Sequence, residues 1–171
     1  MDWGFVKTQM QSGKIEQIAC FAMICHHCGE IFVEFFPNAK QENLFIGMLH
    51  SFRTMHIPER VVTDNMKSVV IGRAADGSPV WQKDYEQFMN VFQFQTTLCQ
   101  PRHPYTKGAV ERLVRFVKEN FLPGRVFTDL TDLNRQASHW CNQKNNSYRK
   151  ASDCIPAQRH TARCIKAADP L

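Results

Sequence analysis

Three strand-like stretches fill the first thirty-six residues, and their short connections constrain the fold more than anything after them. Asp2 to Met10 is followed by the turn Gln11-Ser12-Gly13-Lys14. Ile15 to Cys25 is followed by His26-His27-Cys28-Gly29, and Glu30 to Phe36 completes the set. Strands joined by turns this tight pair as an antiparallel meander. The second contains the longest apolar run of the chain, the eight residues Ile18 to Cys25, and is apolar enough to be a central strand. In the third, Phe32, Glu34 and Phe36 alternate with Ile31, Val33 and Phe35, so it is expected to be part-buried.

From Pro37 onward helices separate the strands. Asn38 is a plausible N-cap with Gln41 three residues on, and Leu44, Phe45, Met48, Leu49 and Phe52 form the stripe of a helix ending before Pro58. Arg60-Val61-Val62-Thr63 reads as a short strand ending at Asp64-Asn65, and a polar loop with Asp76-Gly77 and Pro79 follows. Trp81, Tyr85, Phe88, Met89 and Phe92 mark a second helix, and Phe94 to Cys99 a fifth strand. Gln100 to Lys107 reads as a loop into a helix, and a last helix runs from about Thr128 to Asn142. The order β-β-β-α-β-α-β-α-α predicts an α/β fold: a mixed five-stranded sheet with helices on its faces. Residues 1–145 form one domain and 146–171 a basic tail.

Composition narrows the partners. At 171 residues and 43% apolar content the chain can build a core, and no apolar run approaches the ~20 residues that span a bilayer. No secretory pattern opens the chain. Seven scattered cysteines, mostly within apolar runs, suit reduced, buried thiols and a cytoplasmic setting. The net charge of +5 is concentrated: residues 144–171 carry six cations against Asp153 and Asp169. Lys107 to Arg125 holds five more against Glu111 and Glu119. A polyanion such as nucleic acid fits that distribution.

The helix after Thr106 has two faces. Val110, Leu113, Val114, Val117 and Phe121 form a buried stripe, while Glu111, Arg115 and Lys118 share a neighbouring face at the border of core and solvent. Glu111 could be half of an i,i+4 pair worth a few tenths of a kcal/mol. Asp64, at the carboxyl end of an apolar strand, could be an Asx turn. Asp2 could be a solvated terminal residue. If the first strand lies beside the Asp64 strand, however, all three carboxylates can converge, and a cluster of hard oxygens makes sense around Mg²⁺ or Mn²⁺. Two such ions could clamp the attacking and leaving oxygens of a phosphodiester.

These residues resemble the DDE core shared by retroviral integrases and many transposases. Asp2-Trp3-Gly4, Val62-Thr63-Asp64-Asn65-Met66-Lys67, Pro104-Tyr105-Thr106-Lys107-Gly108-Ala109-Val110-Glu111-Arg112, Val117 to Arg125, and Thr131-Asp132-Leu133-Asn134 occur in order. Their finer match is to insertion-sequence transposases of the IstA type, which act with a separate AAA+ ATPase helper. The resemblance covers roughly residues 2–145, and more weakly the tail around Ile155-Pro156-Ala157. It implies an RNase H-like fold, two Mg²⁺ (or Mn²⁺) ions held by Asp2, Asp64 and Glu111, and DNA cleavage and strand transfer in a bacterial, nucleoid-associated homo-oligomer. By motif position Lys67, Lys107, Arg115 and Lys118 would face DNA, both transposon ends and target. Tyr105 could stack on a base or simply pack. The alternatives are an RNase H-like nuclease that does not join, and an inactive remnant that only binds DNA. Asp2 is the second residue, and no end-recognising module precedes it, so the chain alone is expected to be a poor transposase.

Cys25-His26-His27-Cys28 has a metal-ligand look. One tight turn cannot easily wrap a tetrahedral zinc with four side chains, and no second Cys/His pair lies nearby, so it reads as a strand end and hairpin turn. His103 precedes the helix in a loop and could touch DNA.

Overall fold

The computed structural model describes residues 1–99, 104–150, 152–160 and 164, the side chains of residues 104–107 excepted. The meander forms as expected. Strands β1 (Asp2–Gln9), β2 (Ile15–Ile24) and β3 (Ile31–Phe36) pair antiparallel with β2 central, Asp2 opposite Ala22 and Ala22 opposite Val33. Strand β4 (Arg60–Thr63) pairs in parallel with β7 (Gln95–Leu98). No single five-stranded ladder is recorded among the described residues: the meander and the β4–β7 pair are separate sheets. They touch where the Met1 amino group donates to the Val62 carbonyl at 2.6 Å. The stretch read as a polar loop is a further hairpin, β5 (Val70–Arg73) with β6 (Pro79–Trp81). Its strands are short and mostly exposed, so no alternating apolar face marks them in the sequence.

The period of two along β2 divides the core. Ile18, Cys20 and Ala22 face one side of the sheet, Phe21 and Met23 the other. On the first side lie α3 (Pro104–Asn120) and α4 (Leu130–Asn145), through Val110, Leu113, Val117, Leu133, Ala137 and Trp140. On the second lie α1 (Gln41–Met55) and α2 (Lys83–Phe92), through Leu44, Met48, Phe52, Tyr85 and Met89. Both faces are covered over β3, which is buried on both sides except around Phe32 and Glu34.

Helix ends moved where side chains had other work. Helix α1 starts at Gln41, because the Asn38 carboxamide turns back on its own loop, accepting from the Lys40 N–H at 3.0 Å and the Asn43 amide at 2.9 Å. Helix α3 starts at Pro104, inside the expected loop, with proline tolerated in its first turn. Helix α4 has a reciprocal cap: Asp129 accepts from the Asp132 N–H, and Asp132 accepts from the Thr128 N–H. Trp81 belongs to β6, and the tail adds a short helix, α5 (Pro156–Arg159).

Helix α4 also closes the outer edge of β3. The Asn145 carboxamide accepts from Ile31 N–H and donates to Ile31 C=O, each at 2.9 Å. Asn134 does the same for Phe35, at 2.7 and 2.9 Å. The unpaired edge of the meander is thus satisfied by two side chains in place of a strand.

Candidate active site

Asp2 opens β1, and Asp64 follows the last residue of β4. Both are half-buried and line one cavity of about 810 Å³, together with Lys67, Trp3, Phe5 and Gln82. The Asp2 carboxylate accepts from the Trp3 N–H at 2.8 Å. The Met1 amino group lies near both acids: burial pulls it down to about 6, against the opposing charges of Asp2, Cys99 and Asp64.

Glu111 is exposed on α3, not at the border of the core, and is not among the residues lining that cavity. Its position along the sheet follows from Gly4. A Cβ built on Gly4 would lie 2.4 Å from Val114 Cγ1, so α3 presses on β1 at this point. Four residues later, Lys118 lines a second cavity with Phe5, Lys7, Gln9 and Arg125. Helix and strand therefore run in the same direction. Glu111 is one turn before Val114, a rise of ~4.5 Å. Asp2 is two strand residues before Gly4, ~6.6 Å. Glu111 and Asp2 thus stand at the same end of β1, one on the helix and one on the strand.

Arg115 and Lys118 are exposed, and Lys67 is exposed on the rim of the first cavity. The Tyr105 and Lys107 side chains, His103, and the tail cations Arg163 and Lys166 lie outside the described residues. Sequence reading singled out neither Lys7 nor Arg125. Lys7 alternates outward on β1, which marks it as exposed but not as near Lys118.

A second group of chemically active side chains lies elsewhere. One ligand atom each of Cys25, Cys28, His160 and Cys164 sits within 4.8 Å of the others. The Cys28 thiol hydrogen bond holds the Cys25 thiol well below the usual range. Against the expectation of a bare hairpin turn, a second pair does lie nearby in space: His160-x3-Cys164, some 130 residues on in sequence.

Comparison with known proteins gives relatives in sequence and neighbours in fold. No family model matches the chain. It is 28% identical over 163 residues to a putative transposase for insertion sequence element IS5376 of Geobacillus stearothermophilus, covering 95% of this chain and 40% of that protein. It is 35% identical over 89 residues to a transposase for an IS21-like element of Bacteroides fragilis, 52% of this chain and 17% of that one. The chain thus spans less than half the length of these relatives. In fold it resembles the integrase catalytic core of HTLV-2, solved with magnesium, with a TM-score of 0.60 at 12% identity over 94% of this chain and 95% of that one. It also resembles a chain of the simian T-cell lymphotropic virus intasome, with a TM-score of 0.62 at 15% identity over 99% of this chain and 58% of that one. The chain resembles insertion-sequence transposases in sequence and retroviral integrase cores in fold.

Proposed function

We propose that this chain is the catalytic core of a DDE transposase that cuts and joins DNA with divalent metal. The observation that carries the reading is the shared cavity of Asp2 and Asp64, with Glu111 at the same end of β1 on α3. The donor set fits the ions: hard carboxylate oxygens, those of Asp2 and Asp64 half-buried beside an open cavity and that of Glu111 exposed. When bound, a pair of Mg²⁺ or Mn²⁺ ions supplies Lewis acidity to a phosphodiester. Asp2, Asp64 and Glu111 would hold them, and Lys67 on the cavity rim would draw in the DNA phosphate. The attacking group is water or a 3′-hydroxyl, and no side chain forms a covalent bond to DNA. The meander and the β4–β7 pair read as halves of one mixed five-stranded sheet, joined at the Met1–Val62 contact. DNA ends, target and a helper ATPase are the partners this reading supplies, in a homo-oligomer.

The test is a joining assay in Mn²⁺ with DNA carrying a pre-cut 3′-hydroxyl end, comparing the chain with Glu111→Gln. Weak joining by the first, lost in the second at unchanged thermal stability, is expected. Glutamine keeps the shape and removes a charge from an anionic cluster, which leaves the metal-free fold intact. Nicked products without joining would make the protein a nuclease. DNA binding with neither product would make it a remnant.

A further inference from the structure

The cluster lies just past the carboxyl end of β2, three residues beyond Ala22, the partner of Asp2, and shares no residue with the cavity of Asp2 and Asp64. Cys25 and Cys28 flank the turn between β2 and β3, while His160 follows α5 and Cys164 lies four residues on. Cys28 and Cys164 are buried, Cys25 and His160 half-buried. The turn is shaped around sulfur. Gly29, at φ +77°, takes the left-handed conformation, its N–H donating to Cys25 C=O at 2.9 Å, and the Glu30 N–H then points at Cys28 Sγ at 3.4 Å. His160 Nδ1 lies 3.4 Å from the same sulfur.

We propose that Cys25, Cys28, His160 and Cys164 bind a structural zinc ion that fastens the C-terminal tail to the β2–β3 turn. Three sulfurs and one imidazole nitrogen are the donor set of closed tetrahedral zinc sites, and the C-x2-C and H-x3-C spacings suit one. With Zn–S ~2.3 Å and Zn–N ~2.0 Å, the edges of such a tetrahedron are about 3.5–3.8 Å. The ligand atoms lie within 4.8 Å of one another, so closure needs shifts of about an ångström, and the Nδ1–Sγ edge is already near its bound length. Glu30 Oε2 lies 2.8 Å from His160 Nδ1, so a buried carboxylate faces the imidazole from outside the cluster. Binding releases the protons of the thiols as they become thiolate ligands. Arg149, which donates to Gly29 C=O at 2.8 Å, brings positive charge beside the thiolates. The ion supplies what this part of the tail lacks in apolar contact: of the described residues in 152–164, only Pro156 and Cys164 are buried. An ion binding there only in the folded state adds its binding free energy to the docking of the tail.

The experiment is metal analysis of the chain purified without chelator under reducing conditions, then reloaded with Zn²⁺ and, separately, Co²⁺. Equimolar zinc and the intense visible absorption of tetrahedral cobalt–thiolate are expected. Cys25→Ser and Cys164→Ser should lose both signals, while Cys141→Ser, altering a buried cysteine outside the cluster, and Asp64→Asn, at the carboxylate site, should keep them. Should a ligand variant fail to fold, cobalt titration of the unaltered chain decides alone. Proteolysis after α5 should accelerate when the metal is stripped. Failure of the reduced chain to take up either metal, or equal loss in Cys141→Ser, would overturn the proposal.

Discussion

At the scale of single residues, glycine and asparagine carry as much of this structure as the acids do. Gly4 sits two residues after Asp2, and the absence of its side chain lets Val114 approach the strand. Gly4→Ala forces a methyl group into a 2.4 Å gap against a branched side chain that cannot swing far. The expected cost is about 1–3 kcal/mol, typical of overpacking, read as a drop of several degrees in Tm. Val114→Ala in the same chain should recover most of it, since the colliding atom is then gone. An unchanged Tm in Gly4→Ala alone would show that α3 does not rest on β1 there. The Asp2-Trp3-Gly4 motif was legible as a chemical signature, but the reason for its glycine was not. Close approach depends on which helix lies opposite, and no local pattern records that. The same limit applies to Cys25 and Cys28, whose companions are brought in by tertiary folding.

At the scale of elements, amphipathic period was the dependable signal. The α3 stripe was readable because burying each of its large apolar side chains is worth about 1.5–3 kcal/mol, far above the few tenths of a Glu–Arg surface pair. The β5–β6 hairpin was not readable, because its strands bury little and so impose no period. The Asn134 and Asn145 clamps were also hidden: a helix asparagine looks like a solvated one until its edge strand is in place. Asn145→Ala removes the partner of both the N–H and the C=O of Ile31, in a site only 4% exposed. Unsatisfied buried groups cost about 1–3 kcal/mol each, so roughly 2–6 kcal/mol of stability should go for the two, read as a lower urea midpoint with unchanged slope. Asn134→Ala should cost less, because Asn134 is only half-buried and its removal opens the Phe35 backbone to water more readily. Equal losses would mean that edge closure is not what Asn145 supplies.

At the scale of the whole molecule, the two cavities on β1 make one surface. Phe5, 53% exposed, belongs to both. On one side of it lie Asp2, Asp64 and Lys67, and on the other Lys7, Lys118 and Arg125. Arg125 is held in place by the Gln136 carboxamide at 3.2 Å and by the Phe121 ring, 5.0 Å from its guanidinium carbon. A strand entering over the basic side would reach the carboxylates by crossing an apolar ring suited to stacking on a base. Cations that contact phosphate release counterions, so binding should weaken steeply with salt and each contact should contribute ~0.9 to the slope. Lys118→Ala is expected to weaken binding to unrelated DNA sequences alike and to lower the salt slope by about one. Lys7→Ala should do the same independently, since the two side chains come from different elements. Phe5→Ala should reduce affinity for single strands by about 1–3 kcal/mol while leaving the slope unchanged, because stacking releases no ions. Fluorescence anisotropy with labelled duplex and single-stranded oligonucleotides across a salt series separates these effects. If Lys118→Ala lowered Tm but left both affinity and slope where they were, the groove would be a structural seam and DNA would have to enter from another side.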